Sequence, residues 1–186
     1  MTDASAHEPT RRDFLYVATG AFAAVGAAFA VWPLIDQMNP DASTRALAST
    51  EVDLSNISEG QVVTIMWRGK PVFIRNRTAA EIEEARSASV EALPDPLARN
   101  ANLPETAPAT DINRAASASE KWLVLIGVCT HLGCVPLSNQ GDFHGWFCPC
   151  HGSHYDLAGR IRRGPAPENL PVPPLEFLSE TRIRIG

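Results

Sequence analysis

The sequence lacks an excess of positive charge. Its 16 Lys and Arg residues are outnumbered by 21 Asp and Glu residues, which gives a formal net charge of −5 at pH 7. A basic surface that could bind nucleic acid is therefore not expected, and nucleic acid is excluded from the predicted partners. Hydrophobic residues make up 45% of the chain and charged residues 20%, which is the balance of an ordinary globular protein.

Cysteine is scarce as well, and its placement is uneven. The chain has four cysteines and five histidines. All the cysteines and four of the histidines lie between positions 129 and 154. This window contains two half-sites, Cys129-Thr130-His131 and Cys148-Pro149-Cys150-His151, and Cys134 lies close to the first. Each half-site offers a metal one soft sulfur ligand and one imidazole, with a further cysteine nearby.

Three kinds of site are compatible with this window. Paired Cys and His could bind structural zinc, although Cys-x-His is a tight spacing for one tetrahedral ion and two cysteines would have no role. An exported protein could instead form two disulfides, with the histidines incidental. The third alternative uses all six residues: two cysteines bind one iron of a [2Fe–2S] cluster, two histidines bind the other, and the remaining cysteines pair.

Long hydrophobic runs are missing apart from one near the N-terminus. Residues 14–35 contain no charged side chain, and as a helix rising about 1.5 Å per residue they could cross a hydrocarbon core of about 30 Å. A buried soluble helix is disfavoured, because an all-round apolar surface would need a much larger protein to cover it. A cleaved signal peptide is an alternative, with Ala28-Phe29-Ala30 as the cleavage site. The length of the run and the Trp32-Pro33 pair at its far end favour an uncleaved, single-pass anchor.

Two arginines precede this run, in the sequence Arg11-Arg12-Asp13-Phe14-Leu15. They fit a positive flank that keeps the N-terminus in the cytoplasm, and they also fit a twin-arginine export signal. Both interpretations place the bulk of the chain outside the cytoplasm, and both can hold together. We therefore predict a cytoplasmic tail over residues 1–13, a transmembrane anchor over 14–35, and a linker over 36–50 that is either a plain spacer or a flexible hinge.

Residues 51–186 are predicted to form a mainly β head with one short helix. Residues rich in β-branched side chains at 61–67 and 70–75 flank Arg68-Gly69 and predict a hairpin. Thr78-Ala79-Ala80-Glu81 is a capping-box pattern that predicts a helix to Ser87. Further strands are predicted at 121–128, on either side of Ala158-Gly159, and at 175–178 and 181–185.

The prolines, which cluster after residue 90, predict loops. Residues 88–119 are expected to be a long surface excursion with little regular structure. Residues 164–171, Gly-Pro-Ala-Pro-Glu-Asn-Leu-Pro, cannot form a helix or a central strand. We predict that they form an ordered segment, called the Pro loop below.

With their flanking residues, the two half-sites read Cys129-Thr130-His131-Leu132-Gly133-Cys134 and Cys148-Pro149-Cys150-His151-Gly152-Ser153-His154-Tyr155. These two runs resemble the cluster-binding boxes of Rieske iron–sulfur proteins. The resemblance extends over most of the chain. It includes the Arg-Arg-Asp-Phe-Leu start, the single span, the small-residue hinge and Gly164-Pro165-Ala166-Pro167. This combination is similar to the Rieske subunit of proteobacterial and mitochondrial cytochrome bc complexes. It implies an antiparallel β Rieske head with a small cluster-binding subdomain over about residues 128–170.

The resemblance also implies a role for each residue of the boxes. Cys129 and Cys148 would bind the inner iron of one [2Fe–2S] cluster, and His131 and His151 the outer iron. The hydroxyls of Ser153 and Tyr155 would donate hydrogen bonds to a bridging sulfide and to the Cys129 sulfur, Cys134 would pair with Cys150, and Leu132 and the Pro loop would shield the cluster. His144 and His154 match no ligand position and are expected to be solvated or hydrogen-bonded loop histidines.

The function that the resemblance implies is electron transfer in a quinol–cytochrome c reductase, an oxidoreductase that contributes to proton translocation. His151, with His131 beside it, would contact quinol at a cytochrome b subunit and accept its proton. Movement of the head would deliver the electron to a c-type cytochrome subunit. The implied location is the inner membrane with the head in the periplasm, in a dimeric complex surrounded by lipid.

Other protein classes share parts of this pattern. Soluble Rieske ferredoxins and ring-hydroxylating oxygenases would normally lack the extra cysteine pair and the span. The small subunit of a periplasmic oxidase with a Rieske centre is closer, since it can also have a twin-arginine signal. The anchor and the Ser153/Tyr155 pair favour the quinol complex, and a structural zinc module is the alternative without redox activity.

Overall fold

A computed structural model describes residues 10–42, 44, 48–116 and 120–186. The chain divides into two compact units, residues 1–45 and 46–186. Most of the predicted cytoplasmic tail lies outside the described residues, as do position 43 and positions 45–47 of the predicted hinge.

Helix α1 makes up most of the first unit and runs over Arg11–Asp36. Thr10 caps it through a capping box, in which the Asp13 backbone N–H donates to the Thr10 hydroxyl (3.3 Å) and the Thr10 backbone N–H donates to the Asp13 carboxylate (2.8 Å). The helix is long and apolar enough to cross a membrane, and none of its residues is buried within the protein. Pro33 lies in its last turn, where its missing backbone N–H removes one intrahelical hydrogen bond shortly before the helix ends.

The described residues of the second unit form three antiparallel sheets, which confirms the predicted antiparallel β head. The sheets have the strand orders β1-β10-β9, β2-β3-β4 and β5-β6-β7-β8. The strands are β1 (Thr50–Asp53), β2 (Val62–Trp67), β3 (Lys70–Asn76), β4 (Trp122–Ile126), β5 (Leu137–Ser138), β6 (His144–Cys148), β7 (Ser153–Asp156), β8 (Ile161–Arg163), β9 (Leu175–Ser179) and β10 (Arg182–Ile185). Two short helices follow β3, namely α2 (Ala79–Ser87) and α3 (Asp111–Arg114), with a 3₁₀ turn at Val90–Ala92 between them.

The β2-β3-β4 sheet is the middle layer, because its side chains are buried on both faces. Phe73, Leu123 and Leu125 pack in one core with residues of the β5–β8 sheet and the Pro loop. Val72, Ile74 and Val124 pack in a second core with residues of the β1-β10-β9 sheet. The alternation of side chains along β3 and β4 produces these two faces. The β5–β8 sheet, which supports the cysteine- and histidine-rich loops, is therefore fixed on a rigid base.

Several local predictions are confirmed in detail. Strands β2 and β3 form the predicted hairpin, with Arg68 at φ 48° and Gly69 at φ 72° in its turn, and the Thr78/Glu81 capping box begins α2. Residues 88–116, the described part of the predicted surface excursion, have little regular structure as expected, but part of the segment is buried. Its buried residues include Leu93, Asp95, Ala98, Ala109, Asp111, Arg114 and Ala115.

Candidate metal centre

Each half-site lies on a loop that is closed by the same backbone turn. The Gly133 N–H donates to the Cys129 carbonyl, and the Gly152 N–H donates to the Cys148 carbonyl, both at 3.0 Å. In each case the donor is four residues after the acceptor, as in a single helical turn that does not continue. Gly133 and Gly152 have φ values of 82° and 72°, which glycine adopts without a steric penalty. The chain thus presents two similar loops from the ends of β4 and β6.

The two loops bring two thiols and two imidazoles together. Cys129 and Cys148 are buried, each 2% exposed, and both are free thiols. His131 is half-buried and His151 is exposed. The two imidazole rings meet edge to face, with centroids 4.6 Å apart. Sulfur donors therefore lie inside the site, and nitrogen donors lie at its outer end.

The other two cysteines are joined by a disulfide, Cys134–Cys150, across 16 positions of the sequence. The sulfur atoms of Cys134, Cys148 and Cys150 lie within 4.8 Å of one another, but the disulfide leaves only Cys148 of this group able to act as a thiolate ligand. The interpretation of the window as two disulfides is wrong, since Cys129 and Cys148 stay unpaired. The disulfide binds the two loops to each other.

Two buried residues of β7, Ser153 and Tyr155, carry hydroxyls, and that of Tyr155 lies beside a thiol. The Tyr155 hydroxyl is 3.3 Å from the Cys129 sulfur and accepts from the Thr130 backbone N–H at 3.4 Å. Burial, and then the neighbouring Cys129 thiol, raises the pKa of Tyr155, so the hydroxyl keeps its proton and can donate. The Ser153 hydroxyl accepts from the Ala166 N–H at 3.2 Å, which leaves its own proton available.

The Pro loop contacts both cysteine- and histidine-bearing loops or the residues next to them. Besides the bond from Ala166 to Ser153, the Thr130 hydroxyl donates to the Glu168 carbonyl (2.7 Å) and accepts from the Glu168 N–H (3.3 Å). Gly164 has φ 110°, and a Cβ atom there would lie 2.5 Å from the Ser153 Cα. Only glycine allows this close approach. Thr130 therefore has a structural role that the sequence analysis did not assign to it.

His144 and His154 make hydrogen bonds, as expected, but they lie in strands and not in loops. His144 begins β6 and its exposed ring is 2.9 Å from the Glu84 carboxylate. His154 lies in β7 and is 7% exposed, and its Nδ1 accepts from the Asp142 N–H at 3.1 Å. Strand alternation directs its side chain to the face opposite that of Ser153 and Tyr155. Neither histidine joins the group formed by His131 and His151.

The donor set fits a metal centre of mixed sulfur and nitrogen ligation. His131 Nδ1 is buried and has no hydrogen-bond partner within the described part of the chain. A buried imidazole nitrogen without a partner is costly unless a ligand satisfies it. Burial raises the pKa of the Cys148 thiol, and backbone N–H groups of the second loop oppose this shift. These N–H groups would stabilise a bound thiolate.

Comparison with known proteins identifies the family. The family described as Rieske [2Fe-2S] domain matches residues 50–174. The family described as Ubiquitinol-cytochrome C reductase Fe-S subunit TAT signal matches residues 1–41. The resemblance seen in the sequence and the [2Fe–2S] cofactor that it implies are thereby confirmed.

Individual relatives agree over their whole length. The ubiquinol-cytochrome c reductase iron-sulfur subunit of Bradyrhizobium diazoefficiens is 58% identical, with 100% of this chain and 99% of that protein covered. The subunit of the same name from Cereibacter sphaeroides is 57% identical, with 100% of both chains covered. A chain of a solved structure titled Hyperthermophilic respiratory Complex III matches with a TM-score of 0.50 and 28% identity, over 90% of this chain and 98% of that one. The chain therefore belongs to the family of Rieske iron–sulfur subunits of ubiquinol–cytochrome c reductase.

Proposed function

We propose that this subunit takes electrons from quinol at a cytochrome b subunit and delivers them to a c-type cytochrome subunit. The observation that carries the proposal is the layering of the site. Two imidazoles lie at the outer end, one half-buried and one exposed, and two free thiols lie beneath at 2% exposure. A group held by all four residues would be insulated from water on the thiol side and reachable on the histidine side.

The proposed ligand assignment agrees with this layering. Cys129 and Cys148 would hold the inner iron, and His131 and His151 the outer iron. For His131 the ligating atom would be Nδ1, the buried nitrogen that lacks a partner. Bound in this way, a [2Fe–2S] cluster supplies a one-electron acceptor whose potential lies at roughly −150 to +300 mV, because two neutral imidazoles replace two thiolates.

The exposed His151 would be the contact for quinol. Quinol must lose a proton with each electron, and an imidazole at a metal centre can hold or release a proton according to the charge nearby. The free ring nitrogen of His151 would accept a hydrogen bond from a quinol hydroxyl and then take its proton. His131 lies against the His151 ring, with centroids 4.6 Å apart, and would fix its orientation.

The setting of the head supports the same proposal. Helix α1 would anchor the subunit in the inner membrane with its N-terminus in the cytoplasm, and the head would lie in the periplasm. The predicted hinge would let the head move between the two cytochrome subunits, within a dimeric complex in a lipid bilayer. Proline substitutions that stiffen the linker should slow turnover without changing the cluster, and unchanged turnover would contradict the movement.

One spectrum tests the site itself. The reduced full-length subunit should give the EPR signal of a [2Fe–2S] cluster with a low average g value, and in the intact complex this signal should respond to quinone or to a quinone-site inhibitor. A diamagnetic protein that contains zinc would refute the cluster assignment. A cluster signal that quinone does not affect, measured in the intact complex, would refute the quinol contact alone.

The arginine pair allows a test of the export route. The double variant Arg11→Lys/Arg12→Lys keeps both charges but changes the paired guanidinium groups. A twin-arginine route predicts that the head no longer reaches the periplasm, whereas a simple positive flank predicts normal placement. Protease accessibility of the head in spheroplasts distinguishes the two outcomes.

A further inference from the structure

The Pro loop contacts both cysteine- and histidine-bearing loops, but it does not support itself. It reaches Ser153 through the Ala166 N–H and Thr130 through the backbone of Glu168. These three bonds hold the loop only if its backbone is fixed from the other side. Arg114, Gly159 and Ile126 hold its last two residues, Leu170 and Pro171. The segment over residues 95–99, called the support segment below, holds Asn169.

Asn169, near the end of the Pro loop, is 0% exposed and makes three hydrogen bonds through its side-chain amide. The side-chain nitrogen donates to the carbonyls of Asp95 (3.0 Å) and Leu97 (2.8 Å), and the side-chain oxygen accepts from the Ile161 N–H (2.8 Å). One side chain thus ties the support segment to the start of β8. Loss of any of these bonds would leave a buried polar group unsatisfied.

Asp95 completes the attachment from the support segment. One carboxylate oxygen accepts from the Asn169 backbone N–H at 3.0 Å, and the other accepts from the Leu97 N–H at 3.1 Å. Arg99 covers the carboxylate from the solvent side, with its Nε 2.9 Å from Asp95, and it reaches the Glu168 carboxylate at 3.2 Å. The Asp95 side chain is 3% exposed and that of Arg99 is 34% exposed. The bonds to backbone N–H groups are therefore the buried part of this network.

The charge state of Asp95 agrees with this geometry. Burial by itself would raise its pKa, but the hydrogen bonds from Arg99, Asn169 and Leu97 outweigh burial and hold the pKa below its ordinary value. At neutral pH Asp95 is thus an acceptor only, which is what two N–H donors and a guanidinium require.

We propose that Asp95 and Asn169 are positioning residues for the metal centre, which act by fixing the Pro loop against Ser153 and Thr130. The inference rests on the proposed ligand set and adds to it a remote determinant of the midpoint potential. A shift of the loop would move the Ala166 N–H away from the Ser153 hydroxyl. The hydrogen bond that Ser153 can donate toward the centre would then weaken, and with it the stabilisation of the added electron.

The test uses Asp95→Asn in the full-length subunit within the intact membrane complex. The amide keeps the shape of the side chain, but one of its two ends is now a donor that faces an N–H or a guanidinium. We expect the reduced-to-oxidised ratio, measured by EPR at the wild-type midpoint potential, to fall by roughly threefold or more, since one buried hydrogen bond changes an equilibrium by about that factor.

Arg99→Gln is the matched control. It removes both ion pairs on the solvent side but leaves the Asp95 bonds to Leu97 and Asn169 in place, so the ratio should not change. A second measurement separates positioning from a general loss of stability. In a Ser153→Ala background, Asp95→Asn should have little further effect on the ratio, because both changes act through one hydroxyl.

The outcomes are distinct from those that test the proposed function. A Rieske-type signal in the wild type establishes the centre whatever the variants do. An unchanged ratio in Asp95→Asn, an equal shift in Arg99→Gln, or additive shifts with Ser153→Ala would each overturn the positioning role. If Asp95→Asn does not retain the cluster, Asp95→Glu takes its place. It keeps the charge and moves the carboxylate by one methylene, and the same outcomes apply.

Discussion

Replacement of Tyr155 by phenylalanine should lower the midpoint potential of the metal centre. The hydroxyl lies 3.3 Å from the Cys129 sulfur and is fully buried, so no water competes for the contact. The ring itself would stay in place, since it packs in the core between the middle sheet and the β5–β8 sheet. The change therefore removes the contact with Cys129, together with the longer contacts of the hydroxyl with the Thr130 N–H (3.4 Å) and the Thr130 hydroxyl (3.5 Å).

The magnitude follows from the charge of the acceptor. A hydrogen bond to a charged group contributes about 1.5–3 kcal/mol, and it strengthens when the centre gains an electron. If about 1 kcal/mol of this bond appears only in the reduced state, the one-electron potential falls by about 40 mV, since 59 mV corresponds to a tenfold change in the equilibrium constant.

The assay is a redox titration of the complex, monitored by EPR. Tyr16→Phe is the matched control, because the chain has two tyrosines and Tyr16 lies in α1, where its hydroxyl accepts from Arg12. Equal potentials in wild type and Tyr155→Phe would show that the hydroxyl does not stabilise the added electron. A fall of similar size in Tyr16→Phe would show that the effect is not local.

Three further predictions concern stability. The double variant Cys134→Ser/Cys150→Ser opens a loop of 16 positions and should lower the free energy of unfolding by about 3 kcal/mol. Urea denaturation of the full-length subunit in detergent measures this difference. No change would mean that the disulfide does not constrain the loops. Gly164→Ala should abolish cluster retention, because the new Cβ would collide with Ser153. Gly69 also has a positive φ but has open space around it. Gly69→Ala should therefore lower the free energy of unfolding by only about 1–2 kcal/mol and retain the cluster. Asp95→Asn should lower the free energy of unfolding by an amount that is constant near neutral pH and shrinks as the pH falls below the ordinary pKa of 3.8. The reason is that the folded-state pKa of Asp95 is depressed, so protonation favours the unfolded wild-type chain. A difference between variant and wild type that does not change with pH would contradict an ionised Asp95.

The residues of the two half-sites are easier to find in the sequence than the residues that support them. Both half-sites are contiguous, so the residue types and spacings that a metal requires are visible directly. The hydroxyl of Tyr155 could be assigned for the same reason, through the resemblance of its box. Asp95 and Asn169 could not, because their contacts join positions 74 residues apart and nothing local marks either residue as a partner of the other.

The missed and misjudged elements have local causes. Strand β5 has two residues, too few for an alternating pattern. Strand β6 contains Gly145 and begins at His144, whose φ of 54° and register shift interrupt the ladder. The proline content of residues 88–116 predicted surface loops, and it was right about the loop conformation of this segment. It gave no sign of Arg114, which is fully buried and donates to the carbonyls of Ala98, Ala158, Gly159 and Leu170.

The pairing of β1 with β10 determines which hydrogen bonds of the head would resist a force applied through the anchor. Strand β1 is the first strand after the linker and lies at the edge of its sheet, with β10 as its neighbour there. Just before it, the Trp67 indole N–H donates to the Ala48 carbonyl at 2.8 Å. Tension along the linker would thus reach the head at residues 48–53 and load the hydrogen bonds to the last strand of the chain. In a single-molecule pulling experiment, the hydrogen bonds between β1 and β10 should break first. The metal-binding loops should still be folded when β1 detaches.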